Sequence, residues 1–209
     1  MKHRATIALF QYWDRLRGSR PAPQRIEIEP ADIKSLLADT FILEQDGRGE
    51  PIFRLAGTRL CATYGRELKG YSFPLLWTQR DQRVISRHAY GVFRHDAVVV
   101  VGFDGVCADG KTLGFEMVLL PLRSGPGSQA SRRLLGAIAP AAKPYWLGAI
   151  PVVENTISTV RVVDPDRERL FLPARPTIAG PSIMPDKAQI TGGGRRIKHL
   201  VVIEGGRDD

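Results

Sequence analysis

Cysteine is nearly missing from this chain, with Cys61 and Cys107 the only two in 209 residues. Two thiols so far apart in sequence build neither a disulfide framework nor a four-ligand zinc site, so both are expected as reduced, buried thiols. Long apolar runs are missing too. None approaches the roughly 18 residues a membrane helix needs, and the apolar residues after Lys2, His3 and Arg4 are broken by Gln11, Asp14 and Arg15 before a signal-peptide core can form. A cytoplasmic location without membrane insertion is the expectation. The chain also has no Gly-rich phosphate loop, nucleophile elbow, metal-binding helix motif, or kinase or cyclase signature, so nothing visible points to an enzyme.

What is present describes an ordinary folded protein. At 43% hydrophobic and 25% charged residues the chain can build a real core, and its length suits one well-packed domain with an extension. Lys and Arg number 30 against 22 Asp and Glu, a net charge of +8. Such an excess fits nucleic acid, acidic lipid or an acidic partner. The charge is dispersed, however. Its local concentrations are Arg15, Arg17, Arg20 and Arg25 and the pair Arg195 and Arg196, none interleaved with the aromatics that stack on bases. A basic nucleic-acid-associated regulator is therefore an alternative that rests on net charge alone.

Periodicity orders the elements. Leu9, Phe10, Trp13 and Leu16 recur at three- and four-residue steps, which predicts an amphipathic helix over Thr6 to Arg17 closed by Gly18. Pro21 and Pro23 make an extended link, and Pro30 opens a short second helix carrying Ile33, Leu36 and Leu37. Thr40 to Gln45 and Ile52 to Ala56 read as a hairpin around Asp46-Gly47 and Gly49. In the stretch Ile52 to Gly70 a strand meets two short helical turns at the hinge Gly57, and Gly65 and Gly70 stand as helix stops. Gln79 to Phe93 carries Val84, Ile85, His88, Ala89 and Val92 on one stripe and is the longest internal helix. Strands follow at Ala97 to Phe103, Thr112 to Leu122 and Arg133 to Ala139. Two strands, short helices, a longer helix and three strands predict an α+β fold, an antiparallel sheet with helices on one face.

That order, with the words FRLAGTRLCATYGRELKG, Tyr12 to Arg17, Leu76-Trp77, FEMVLLPL and LLGAIAP, resembles a PAS domain over about Phe10 to Ala139, and in particular a bacterial PAS subfamily that stands alone without an attached kinase or cyclase. The resemblance implies a PAS-like five-stranded antiparallel sheet whose concave face, covered by helices, holds a small ligand or simply packs, and which signals through partner contacts. The chain then divides into 1–28, an N-terminal helix and linker; 29–142, the PAS domain; and 143–209, a C-terminal extension. In that extension Thr159 to Val163 and His199 to Ile203 read as short strands amid proline- and glycine-rich, partly disordered chain.

Candidate sites follow from the same pattern. The resemblance makes His88 a haem-ligand candidate, since haem-binding PAS domains commonly use a histidine on the long helix, with Val84, Ile85 and Val92 as an apolar lining. The plainer reading is a histidine held by hydrogen bonds at a helix edge, with no cofactor. His95, at the end of the helix, is placed to meet the helix dipole or solvent. Glu116 interrupts an apolar strand on the face of Val118 and Leu120. It is either a ligand-orienting acceptor on the inner face or, the favoured reading, the partner of an arginine such as Arg54 or Arg59. Neither cysteine lies in the Asn-Cys-Arg-Phe context of light-sensing flavin domains, and inert thiols are expected. The helix carrying Phe10, Trp13 and Leu16 either packs on the chain's own sheet or, the favoured reading, supplies these residues as interface anchors for a homodimer or partner. The leading expectation is a sensory or adaptor protein that regulates signalling through a protein partner; the alternative is a haem- or metabolite-binding sensor.

Overall fold

The computed structural model describes residues 1–124, 132–171, 195–197 and 200–202. Its first helix, α1 (Arg4–Arg17), ends at Gly18, whose φ of 59° suits a residue without Cβ. The segment after Pro30 forms no α-helix but two single 3₁₀ turns, Pro30–Ile33 and Leu37–Asp39, too short for the expected stripe. The hairpin β1 (Thr40–Gln45) and β2 (Pro51–Ala56) leads into α2 (Thr58–Thr63), a 3₁₀ turn at Phe73–Leu76 and α3 (Gln79–His95). Next come β3 (Val98–Cys107), β4 (Thr112–Leu122) and β5 (Arg133–Pro140). The hinge glycine is explained by close approach: a Cβ on Gly57 would stand 2.2 Å from the carbonyl oxygen of Leu37.

The sheet is antiparallel in the order β2-β1-β5-β4-β3, extended by a sixth strand, β6 (Val152–Val163), which pairs with β3. This strand runs well beyond the expected Thr159 to Val163. Its polar, β-branched sequence suits a sheet edge, where neither face needs to be wholly apolar. The first compact unit, Met1–Pro173, includes this strand and a short helix, α4 (Pro165–Phe171). The second unit, Ala174–Asp209, holds an antiparallel pair, β7 (Arg195–Ile197) and β8 (Leu200–Val202). Partial disorder was expected within 143–209, and of that extension 172–194, 198–199 and 203–209 lie outside the described residues.

As expected, α2, α3 and the Phe73–Leu76 turn gather on one face of the sheet, and the N-terminal helix α1 covers the other. Along β4 the side chains of Leu113, Phe115, Met117 and Leu119 enter one core with α2, α3 and the Phe73–Leu76 turn, while Val118, Leu120 and Leu122 enter a second core under α1. A sheet apolar on both faces must be covered on both. The interface reading of Phe10, Trp13 and Leu16 is corrected for the same reason. Phe10 and Trp13 are 1% and 0% exposed, Leu16 packs half-buried beside them, and the Trp13 indole N–H donates to the Pro121 carbonyl at 2.8 Å. These are fastenings of α1 to its own sheet.

Replacing Trp13 by Ala should therefore cost about 3–5 kcal/mol of folding stability. Urea unfolding at several protein concentrations checks it. A midpoint that shifts with concentration, with little loss at high concentration, would restore Trp13 to an interface between chains.

Candidate functional site

The inner face of the sheet, opposite α1, is occupied by rings from the chain itself. Phe41 meets Phe53 at 5.6 Å between centroids, Phe53 meets Phe73 at 5.7 Å, Phe73 meets Trp77 at 6.1 Å, Trp77 meets Phe103 at 4.9 Å, and Phe103 stacks on Phe115 at 5.2 Å. Each is no more than 5% exposed. The glycine opposite Phe41 in β5 makes room for it, because a Cβ on Gly136 would lie 2.2 Å from the Phe41 ring.

The expected haem constellation is only partly assembled. Ile85 and Val92 are buried among these rings, whereas Val84 and His88 sit half-buried at the rim of the stripe. Burial first, and then the neighbouring Arg87 charge, hold the His88 imidazole below its ordinary pKa. His95 is exposed in the last turn of α3. Among the described residues no group of three or more His, Cys, Asp and Glu side chains gathers to hold a metal.

Glu116 lies on the other face, and neither expected role applies to it. Its carboxylate accepts the backbone N–H groups of Lys2 at 3.0 Å and His3 at 3.1 Å and the Thr6 hydroxyl at 2.5 Å. It thus serves the start of α1, whose N-cap His3 offers no side-chain cap. Arg54 and Arg59 are engaged elsewhere, with Glu44 and Asp39. Burial by itself would raise the Glu116 pKa, but the hydrogen bonds from Thr6, Lys2 and His3 outweigh it and hold the carboxyl below 4.5, its ordinary value.

Cys107 is buried and its thiol is pushed up by burial, then by Asp109; Cys61 is only half-buried, its Sγ 3.7 Å from Glu67. Both are free.

Sequence reasoning missed two places. One is where β6 reaches the inner core. Asn155, fully buried, donates from Nδ2 to the Tyr64 hydroxyl at 3.1 Å, and its carbonyl accepts the Thr78 N–H at 2.9 Å. Buried Asp81, in the first turn of α3, accepts the Ile157 N–H at 2.8 Å. The sixth strand is thereby stapled to the N-terminal end of α3. Asn155 Oδ1 and Trp77 Nε1 meet no hydrogen-bond partner among the described residues. Asn155 was legible only as one polar residue in a mixed polar and β-branched run. The other place is an open cleft of about 430 Å³ between the β1–β2 hairpin and α3, lined by Glu50, Pro74, Gln82, Arg83, Arg87 and Tyr90. The Tyr90 hydroxyl donates to the Gly49 carbonyl at 2.7 Å and ties helix to hairpin. Its signal was a helix face carrying arginines with no interleaved acid.

A family model described as PAS domain matches residues 1–139. The chain belongs to the PAS domain family. Two solved structures resemble this PAS domain in part. One, from work titled "Flavin Analogue Sheds Light on Light-Oxygen-Voltage Domain Mechanism", is 17% identical, with 55% of this chain and 85% of that chain covered, at a TM-score of 0.42. The other, the PAS domain of a protein from Colwellia psychrerythraea, is also 17% identical, with 56% and 100% covered, at a TM-score of 0.38. No curated protein matches this PAS domain. PAS domains are in general sensory and signalling modules, and no helix among the described residues is long and apolar enough to cross a membrane.

A Glu116→Gln variant keeps the size of the group and loses its charge. Because the folded pKa is depressed, the charged form contributes stability that is complete above the ordinary value and is lost as pH falls through the folded value. The variant should lose about 1–3 kcal/mol near neutrality, and the gap to the native chain should close as pH falls below 4.5. Urea midpoints across this range check it; a gap independent of pH would mean that the carboxylate charge contributes nothing.

Proposed function

We propose that this PAS domain is a cytoplasmic sensory or adaptor protein that regulates signalling by binding a protein partner, without catalysis. The observation that carries this reading is the ring-filled inner face. Where the sheet's inner surface is occupied from Phe41 to Phe115 by the chain's own aromatics, a haem would have to displace several buried rings, at a cost of several kcal/mol. Signal transfer then falls to surfaces, and α3 has the connections for it. It is stapled to β6 through Asp81 and to the hairpin through Tyr90, so a partner that tilts α3 moves both edges of the sheet. A homodimer would use surfaces other than Phe10 and Trp13, which are consumed in the fold. A second reading, a small neutral metabolite, is favoured by one observation: Asn155 Oδ1 offers an unmatched acceptor and Trp77 Nε1 an unmatched donor inside the core.

Two measurements test these readings. Protein purified from cells supplied with iron and haem precursor should show no Soret band and, by native mass spectrometry, the mass of the bare chain. A Soret band that disappears in His88→Ala would overturn the adaptor reading in favour of a haem sensor, and a colourless bound mass lost in Asn155→Leu would establish the metabolite. In-cell cross-linking should recover a discrete protein partner; recovery of nothing but this chain would sink the adaptor reading.

A further inference from the structure

The outward face of α3 carries charge of one sign only. At 100° and 1.5 Å per residue, positions 80, 83, 87 and 94 fall within an arc of about 60° and run along about 21 Å of helix. All four are arginines, all exposed, on the side opposite buried Ile85, Ala89 and Val92. A fifth guanidinium, Arg132, extends the line by donating to the carbonyls of Phe93 at 2.9 Å and Arg94 at 3.1 Å. Elsewhere in the fold Arg17, Arg20, Arg59, Arg123 and Arg133 are each ion-paired with a carboxylate. Along this stripe the pairing fails. Arg83, Arg87 and Arg94 meet no acidic side chain among the described residues, and Arg80 reaches only Asp81, at 3.4 Å, a carboxylate already engaged by the Ile157 N–H.

An ordinary solvated helix face alternates signs, because like charges three or four residues apart repel and opposite ones attract. Here Arg80 with Arg83, and Arg83 with Arg87, stand at those repulsive spacings. The stripe therefore costs the isolated fold something that an anionic partner would return. Beside it lies the 430 Å³ cleft, where Pro74 and Tyr90 supply an apolar wall, and Leu75 nearby is 54% exposed. Glu50 lines the same cleft. A continuous phosphate backbone would be repelled there, whereas a protein segment can turn an apolar side chain into the cleft and place carboxylates only along the arginines.

We infer that the α3 stripe and its cleft dock an acidic amphipathic helix of a partner protein, with carboxylates at three- and four-residue spacing paired to Arg83 and Arg87 and one apolar residue against Pro74 and Tyr90. The inference rests on the adaptor reading above and names the chemistry of the partner.

The test uses the full chain and a fluorescent peptide of about 14 residues, enough to match the stripe at 1.5 Å per residue, with Glu on one face and a single Leu. Anisotropy should show binding that weakens with salt, falls at least about tenfold in Arg83→Glu/Arg87→Glu, and persists in Arg4→Glu/Arg15→Glu, which makes the same change of net charge on α1. A peptide with Gln in place of Glu should not bind. Equal loss in both double variants, or no binding at all, overturns the inference. Tighter binding of a single-stranded DNA of equal charge through the same arginines overturns it in favour of nucleic acid. Folding is controlled for independently: Arg83→Glu relieves two repulsions and should raise Tm by about 1–3 °C, whereas a fall would show the stripe to be structural. If the cross-linked partner survives Arg83→Glu/Arg87→Glu, the adaptor reading stands and this docking face fails alone.

Discussion

Everything in the first compact unit depends on a sheet that is apolar on both faces. Val98 to Val101 and Met117 to Leu122 send alternate residues to opposite cores, so neither face of β3 or β4 tolerates water. Each buried side chain of this size contributes about 1.5–3 kcal/mol relative to exposure. The inner face is closed by rings and by α3. The outer face is closed by α1, and without Phe10 and Trp13 a strip of valine and leucine would face solvent.

The same constraint explains the placement of buried polar groups. Once α1 lies across the outer face, its N-terminal amides sit over an apolar surface with no local side chain to cap them, and Glu116 reaches up from β4 to accept them. At the far edge, β6 brings polar groups against the core, where Asp81 accepts its Ile157 N–H and the Tyr64 hydroxyl accepts from its Asn155 side chain. Buried charge and amide appear where two layers join and one of them ends, which is also where a change in packing would be transmitted from one element to the next.

Much of this was legible in the sequence. The helix ending at Gly18, the hairpin around Asp46-Gly47, the long helix from Gln79 and the strand Thr112 to Leu122 follow from periodicity and turn residues, and together they resemble a PAS domain, the family to which the chain belongs. The runs VVVV and MVLLPL also held a signal that strand counting leaves unused: strands without polar alternation are buried on both sides, which requires a helix on each face. Read that way, Phe10 and Trp13 are core residues. The edge strand was harder to read, because in Val152 to Val163 polar and β-branched residues mix without a face.

The sequence by itself determined the local elements and their order, since period, capping and turn chemistry act within a few residues. It also determined the charge of the α3 face, because helical geometry alone brings residues 80, 83, 87 and 94 to one side. Only the tertiary structure decided which partner each polar group would find. Glu116 meets Lys2, His3 and Thr6 across more than a hundred residues of chain, and Asn155 meets Tyr64 across ninety-one. Such pairings depend on how layers stack and strands register, which no local pattern encodes.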